Sequence, residues 1–103
     1  MRATPVPDLP ELDPIIHAKL RLAVLALLAG VERADFAWLR DKTGSTDGNI
    51  GAHLAKLEEA KYINVEKKFQ DNKPLSLYRM TPLGRKALSS YIEALKQLLG
   101  NAI

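Results

Sequence analysis

Basic side chains are concentrated in one short segment of this chain, where they could hold a polyanion. Residues 61–86 contain seven Lys and Arg against two acidic residues, whereas residues 1–60 contain seven against nine and residues 87–103 are balanced. The net charge of +3 therefore comes from that segment. Such a patch favours contacts to phosphates, although lysines on an ordinary solvated surface would give the same count.

Residues that could contact bases and phosphates also occur just before this segment, on a predicted helix over residues 46–60. The apolar stripe that predicts the helix consists of Ile50, Leu54 and Leu57. The spacing turns outward Gly48, Asn49, Ala52, Ala55, Lys56 and Glu59. Asn49 could pair with adenine, and Lys56 suits a phosphate or guanine. Ser45 and the N-cap residue Thr46 stand at the positive end of the helix, which favours a phosphate.

The elements before this helix are predicted by the same periodicity. A first helix over residues 15–29 begins after Asp13-Pro14 and ends at Gly30, and a break near His17-Ala18 would split it in two. Its apolar residues are Ile16, Leu20, Ala23, Val24, Leu27 and Leu28. A short second helix over residues 35–42 follows and ends at a glycine that begins a tight turn. Its inward residues are Phe36 and Leu39, with Trp38 as a third candidate.

After the helix over residues 46–60 the hydrophobic period falls from about 3.6 to about two residues, which indicates strands. Residues 62–69 and 75–80 predict a hairpin, and the polar cluster over residues 70–74 forms its turn. The basic residues of this hairpin are Lys67, Lys68, Lys73 and Arg79. Thr81-Pro82 then starts a final helix that runs close to the chain end.

This order of helices is that of a helix-turn-helix protein, because a short glycine-containing turn joins the second and third and a basic hairpin follows. Residues 46–63 (TDGNIGAHLAKLEEAKYI) resemble the recognition helix of MarR/ArsR-like winged-helix regulators. Residues 77–85 (LYRMTPLGR) resemble the junction between wing and final helix in the same group. The resemblance covers roughly residues 13–99 and implies a winged helix-turn-helix fold, mainly α with a small β-hairpin (α+β).

The resemblance implies a transcription regulator that binds double-stranded DNA sequence-specifically. The helix over residues 46–60 would enter the major groove, and the wing over residues 67–76 would lie on phosphates or in the minor groove. It favours repression, by obstruction of the polymerase, over activation. The implied DNA-binding residues are Ser45, Thr46, Gly48, Asn49, Ala52, Lys56, Lys67, Lys68, Lys73 and Arg79. An edge hairpin whose lysines merely prevent edge-to-edge pairing is the alternative for the wing.

Two glycines in the first turns of the recognition helix, Gly48 and Gly51, need an explanation. Each glycine costs a helix interior about 1 kcal/mol relative to alanine. They indicate that something approaches the backbone closely, either DNA or the preceding helix. The outward face also has fewer Arg and Ser residues than is common in the family, so shape and phosphate contacts would contribute more to recognition.

The final helix carries more apolar surface than one small core needs. Leu83, Ala87 and Leu88 can cover the domain, and further apolar residues continue the stripe beyond it. Because such a stripe is typical of an interface, and relatives pair through this helix, we expect a homodimer. The predicted interface residues are Leu88, Tyr91, Ile92, Leu95, Leu98 and Leu99. A helix folded back on its own domain is the alternative. The predicted organisation is an N-terminal arm (1–12), a winged helix-turn-helix domain (13–81) and a dimerisation helix (82–103).

Other classes of function have less support. The chain has no cysteine, and His17 and His53 lie on separate helices, so neither a metal site nor another cofactor is expected. No nucleophile–base motif or phosphate loop indicates an enzyme. The absence of a signal peptide and of a long apolar run predicts a cytoplasmic protein without a membrane partner.

Two alternatives stay open. One is a winged helix that contacts proteins instead of DNA. The other is an unidentified small-molecule effector near Phe36, Trp38 and Tyr91, which core packing explains equally well.

Overall fold

A computed structural model describes residues 10–100 of the protein. Its elements in chain order are α1 (Lys19–Ala29), β1 (Ala34–Asp35), α2 (Phe36–Thr43), α3 (Asp47–Glu59), β2 (Ile63–Gln70), β3 (Lys73–Met80) and α4 (Pro82–Gly100). The strands form an antiparallel sheet in the order β1-β3-β2. This arrangement confirms the predicted α+β winged helix-turn-helix fold. Within residues 10–100, no helix is both long and apolar enough to cross a membrane.

The first helix begins at Lys19, later than predicted, because the backbone of Ala18 is extended (φ −149°, ψ 131°). Before it, Asp13 organises a separate turn. Its carboxylate accepts the N–H of Ile15 at 2.8 Å, and its carbonyl accepts the N–H of His17 at 2.7 Å. The predicted cap at Asp13 therefore starts a turn rather than the helix, and the break falls at the position that the sequence left open.

The core lies between α1, α3 and the inner face of the sheet. Its fully buried side chains include Ile16, Val24, Leu25, Leu28, Leu39, Ile50, Leu54, Leu57 and Ile63. The predicted stripe of α3 is confirmed. On α1, Leu25 takes a core position that the periodicity did not indicate, because this helix is apolar nearly all round. Leu20, Ala23 and Leu27 are only half-buried. Of the predicted N-terminal arm, residues 1–9 lie outside the described residues, and Leu12 packs against the core.

The wing is a tight hairpin whose turn is shorter than predicted. Asp71 and Asn72 have φ values of +53° and +64°, as a two-residue turn with both central residues in the left-handed region requires. Three residues that were predicted in the turn therefore belong to the strands: Gln70, Lys73 and Pro74. The two-residue strand β1, which pairs with Tyr78 and Leu77 of β3, was not predicted because it is too short to show a period.

The junction between the wing and α4 is fixed by Thr81 and Gly84. The Thr81 hydroxyl accepts the N–H of Gly84 at 2.9 Å and donates to the carbonyl of Lys61 at 2.6 Å. The Thr81 N–H donates to the carbonyl of Tyr62 at 3.0 Å. A Cβ atom on Gly84 would lie 2.0 Å from that same carbonyl oxygen. The motif at residues 77–85 therefore has a structural reason, since it lets α4 pass directly over the start of β2.

Candidate nucleic-acid interface

A tight turn joins α2 to α3 and holds the two helices at a fixed angle. Gly44 adopts the left-handed conformation (φ +65°, ψ 29°) that ends α2. The N–H of Ser45 then donates to the carbonyl of Arg40 at 3.0 Å. The Arg40 guanidinium donates to the carboxylate of Asp47 at 2.9 Å, which ties the end of α2 to the start of α3. The turn therefore presents α3 in one orientation.

Ser45 and Thr46, both predicted to contact phosphates, already make hydrogen bonds within the chain. Thr46 Oγ1 accepts the N–H of Asn49 at 3.2 Å as the N-cap of α3. Ser45 Oγ lies 2.7 Å from Thr43 Oγ1. Because the Thr43 hydroxyl donates to the carbonyl of Leu39 at 2.7 Å, Ser45 must be the donor in its pair with Thr43. Thr46 therefore keeps a hydroxyl proton for a phosphate, whereas the Ser45 proton is engaged.

The outward face of α3 has mainly small residues over its first turns, and Lys56 and Glu59 toward its end. The predicted outward residues are all exposed: Gly48, Asn49, Ala52, Ala55, Lys56 and Glu59. A Cβ atom on Gly48 or Gly51 would meet nothing within 4 Å. The preceding helix therefore requires neither glycine, which removes one of the two explanations drawn from the sequence. A smooth face of this kind allows another molecule to approach the helix backbone closely.

His53 lies beside the buried stripe and connects α3 to the N-terminal turn. Its Nδ1 is 3.0 Å from the guanidinium of Arg21, which also donates to the carbonyl of Ile15 at 2.6 Å. Burial and the positive charges of Arg21 and Lys56 lower the pKa of His53 below its ordinary value. The neutral ring can accept the hydrogen bond from Arg21, so these contacts give His53 a packing role rather than a phosphate-binding one.

The lysines of the wing differ in their electrostatic surroundings. Lys68 Nζ lies 3.5 Å from the carboxylate of Glu66, which Arg33 also approaches at 3.9 Å. No carboxylate of the described residues forms an ion pair with Lys67 or Lys73, and both are exposed. The uncompensated charge of the wing therefore comes mainly from Lys67 and Lys73.

Two further residues complete the description of the wing. Arg79 is exposed, but it lies opposite Asn64 near the base of the hairpin rather than at the tip. Sequence reasoning missed Phe69, whose side chain is 79% exposed at the tip. The alternation of β2 places Phe69 on the same face as the buried Ile63, but periodicity cannot show where along the hairpin the core ends.

The predicted interface residues of α4 fall into two groups. Leu88 and Tyr91 are buried within their own chain, and the Tyr91 hydroxyl lies 2.9 Å from Nδ1 of His17. After Tyr91, no described residue of α4 is buried. Ile92 and Leu99 are 42% and 48% exposed, and Leu95 and Leu98 are half-buried. The second half of α4 thus extends its apolar stripe beyond the domain.

Leu83, which was expected to cover the domain, is instead 51% exposed. The reason is the neighbouring Gly84, which is the residue that contacts the backbone of Tyr62. Successive helical positions differ by about 100° around the axis, so this contact turns Leu83 away from the core.

The aromatic residues considered for an effector do not share one pocket among the depressions found in residues 10–100. Trp38 borders a depression of about 360 Å³ with Val31 and Leu77, Phe36 borders another of about 340 Å³, and Tyr91 lies in the core. A groove of about 710 Å³ lies elsewhere, between α1 and the turn into α3. A small-molecule effector stays a prediction.

A short turn that presents an exposed helix, followed by a basic two-stranded wing, defines a winged-helix DNA-binding domain. Residues 20–99 match the family described as "Winged helix DNA-binding domain", and the chain belongs to this family. An uncharacterized protein of Methanocaldococcus jannaschii is 36% identical over 87 residues, which cover 84% of this chain and 95% of that protein.

Solved structures with the same fold include transcriptional regulators. A transcriptional regulator homologue from Pyrococcus horikoshii superposes with a TM-score of 0.79 at 22% identity, over 85% of this chain and 87% of that one. A MarR-family regulator from Enterococcus faecalis superposes with a TM-score of 0.67 at 22% identity, over 84% and 77% of the two chains. The predicted resemblance to MarR-like winged-helix proteins is thereby confirmed.

Proposed function

We propose that this protein regulates transcription by sequence-specific binding to double-stranded DNA, with α3 in the major groove and the wing (residues 67–76) on phosphates or in the minor groove. The observation that carries the proposal is the exposed face of α3, where a Cβ atom on Gly48 or Gly51 would meet nothing within 4 Å among residues 10–100. Lys67 and Lys73, which form no ion pair with a carboxylate of residues 10–100, are on the same domain and suit phosphates. Membership of the winged-helix family supports this assignment and favours a protein without catalytic activity.

The residues of α3 and its N-cap differ in which part of the DNA their side chains can contact. Asn49 can make two hydrogen bonds to adenine, and the methyl group of Ala52 can contact a thymine methyl. At one end of the exposed face Thr46 suits a phosphate, and toward the other end Lys56 suits a phosphate or guanine. Because this face offers few base-reading groups, DNA shape contributes a larger share of the specificity. Binding of this kind represses by covering DNA that the polymerase needs.

Selection from a random duplex pool tests the proposal. The protein is mixed with fragments that contain a randomised central segment, bound fragments are recovered over several rounds, and their sequences are determined. We expect one enriched motif. Recovery without any enrichment, at low as well as moderate salt, would contradict the proposal and favour the alternative of a winged helix that contacts proteins.

A Gly48→Ala substitution should raise stability while it weakens DNA binding. Alanine is favoured over glycine in a helix by about 0.5–1 kcal/mol, and the new methyl group would meet nothing within 4 Å in the described part of the chain. On DNA it occupies space needed for close approach, so we expect on the order of tenfold lower affinity for the selected duplex. Thermal melting and fluorescence anisotropy measure the two effects. Ser89→Ala on the exposed side of α4 is the matched control and should leave affinity unchanged. Undiminished affinity of Gly48→Ala would show that DNA does not approach this position closely.

We also propose that α4 (Pro82–Gly100), within the predicted dimerisation segment 82–103, pairs with the same helix of a second copy. Ile92 and Leu99 are too exposed, and too regularly spaced, to be explained by their own domain. Two-fold pairing covers the same stripe on both copies, and it is the commonest symmetry of soluble oligomers. A dimer also places two copies of α3 to read two half-sites of an operator.

Ile92→Glu should convert the homodimer into a monomer, because a carboxylate on each copy would be buried without a partner. Light scattering after size-exclusion chromatography should give twice the chain mass of 11.4 kDa for the wild type and the single mass for the variant. Ser89→Glu adds the same charge on the polar side of α4 and should leave the dimer intact. A wild-type protein that elutes at the single mass would contradict the proposed dimer.

A further inference from the structure

We propose that Phe69 is an apolar wedge that enters the minor groove at the tip of the wing and opens one base step of the bound duplex. The inference rests on the proposed DNA-binding function. It adds a residue that the sequence analysis did not identify and a deformation of the DNA.

The exposure of Phe69 is the first observation. Its side chain is 79% exposed, whereas the other exposed large hydrophobic residues range from 36% to 51%. A phenyl ring that solvent surrounds contributes little to folding, because it removes almost no apolar area from water. Packing among residues 10–100 therefore does not explain an aromatic residue at this position.

The position of Phe69 on the hairpin is the second observation. Phe69 lies opposite Pro74 in the strand register, one pair away from the pair that closes the two-residue turn. It shares a face of β2 with Ile63 and Val65, which pack into or against the core. Because residues 66–70 of β2 are all exposed, the hairpin extends past the core and holds the ring away from the domain on a hydrogen-bonded ribbon.

The charge around Phe69 identifies the kind of partner. Lys67 shares a face of β2 with Phe69, whereas Lys68 and Lys73 lie on the opposite face of the hairpin, where Lys73 pairs with Gln70. An apolar ring at the tip of a hairpin with lysines on both faces is complementary to a duplex, because the ammonium groups can bind the phosphates on either side of the groove that the ring enters. Several DNA-bending proteins insert apolar side chains between base steps from the minor groove and thereby kink the duplex. The minor groove, about 6 Å wide, admits a side chain but not the ribbon that carries it.

A wedge also agrees with the chemistry of α3. The exposed face of α3 offers few groups that read bases, whereas a wedge selects base steps that unstack easily, such as TA and CA/TG. The sequences recovered with the wild-type protein should therefore contain such a step at the position of the wing.

Bending and affinity of labelled duplexes test the proposal. The duplex selected by the wild type carries a donor and an acceptor dye at its ends, so that energy transfer reports the bend and anisotropy reports affinity. Phe69→Ala should no longer bend the duplex and should bind it roughly tenfold more weakly. The slope of log affinity against log salt should equal that of the wild type, because no charge is removed. Phe69→Leu should keep most of the bend, since an apolar side chain remains. Gln70→Ala, on the opposite face of β2, should change neither quantity.

The outcomes separate this inference from the function on which it rests. If the wild type selects a duplex but Phe69→Ala binds and bends it equally well, the wedge is wrong and the DNA-binding function stands. If the wild type selects no duplex, the proposed DNA-binding function is wrong, and the wedge that rests on it is wrong as well. If Phe69→Ala loses binding to anionic lipid vesicles while duplex binding is unchanged, Phe69 serves a membrane surface and the wedge is again wrong. Equal melting temperatures of the variants confirm that the fold is intact, as expected for an exposed ring.

Discussion

Replacement of Gly84 by alanine is expected to lower the free energy of unfolding by about 3 kcal/mol. The new Cβ atom would lie 2.0 Å from the carbonyl oxygen and 2.8 Å from the carbonyl carbon of Tyr62. Both atoms belong to the backbone, so no side-chain rotation relieves the overlap. The carbonyl also accepts the N–H of Thr81, and a shift large enough to admit the methyl group would break this hydrogen bond. Urea denaturation at one fixed protein concentration measures the loss.

Gly51→Ala is the matched control for this experiment. It adds the same methyl group to a helix at a position where nothing lies within 4 Å, so its free energy of unfolding should equal or exceed that of the wild type. A Gly84→Ala protein as stable as Gly51→Ala would show that α4 does not need to pass directly over Tyr62.

The double substitution Lys67→Ala/Lys73→Ala should weaken binding to the selected duplex by about 10- to 100-fold and reduce the slope of log affinity against log salt by about 2. Each ammonium group that neutralises a phosphate releases counterions, and each loss therefore lowers the slope by about one. Neither lysine forms an ion pair with a described carboxylate. Anisotropy titrations at four or more salt concentrations measure both effects.

Two single substitutions sharpen this prediction. Lys68→Ala should lower the affinity for DNA less than Lys67→Ala or Lys73→Ala alone. The reason is that Glu66 lies 3.5 Å from the Lys68 ammonium group and offsets its charge. Lys96→Ala removes a lysine paired with Glu93 on α4, and it should leave the salt slope unchanged. If the double variant keeps the salt slope of the wild type, Lys67 and Lys73 of the wing do not contact DNA phosphates.

The elements that could be predicted from the sequence are those with local causes. The caps at Thr46 and Thr81, together with the apolar stripe of α3, depend on residues within one or two helical turns. The turn before α1 is also held by a distant part of the chain. The hydroxyl of Tyr62 donates to the carboxylate of Asp13, 49 positions earlier, and raises the pKa of Tyr62 to about 12. Periodicity in a single segment cannot indicate such a contact.

The candidate site shows the same division. The outward face of α3 could be predicted, because helical geometry alone decides which residues face away from the buried stripe. The sequence could not predict which hydroxyl groups and ammonium groups of the site already have a partner within the chain. The Ser45 hydroxyl is hydrogen-bonded to that of Thr43, and Lys68 lies beside Glu66, which only the folded geometry shows. Phe69 was missed for a related reason, since its exposure depends on where the core ends beneath the hairpin.

The affinity ratio between the selected duplex and a scrambled duplex of the same length tests most directly whether α3 and the wing read DNA sequence. Fluorescence anisotropy with the wild-type protein at about 150 mM salt gives both affinities under the same screening. We predict a ratio on the order of a thousand or more, with both affinities falling as salt increases. A ratio near one would contradict sequence-specific binding and would leave this winged helix as a protein-contact module or a non-specific DNA binder.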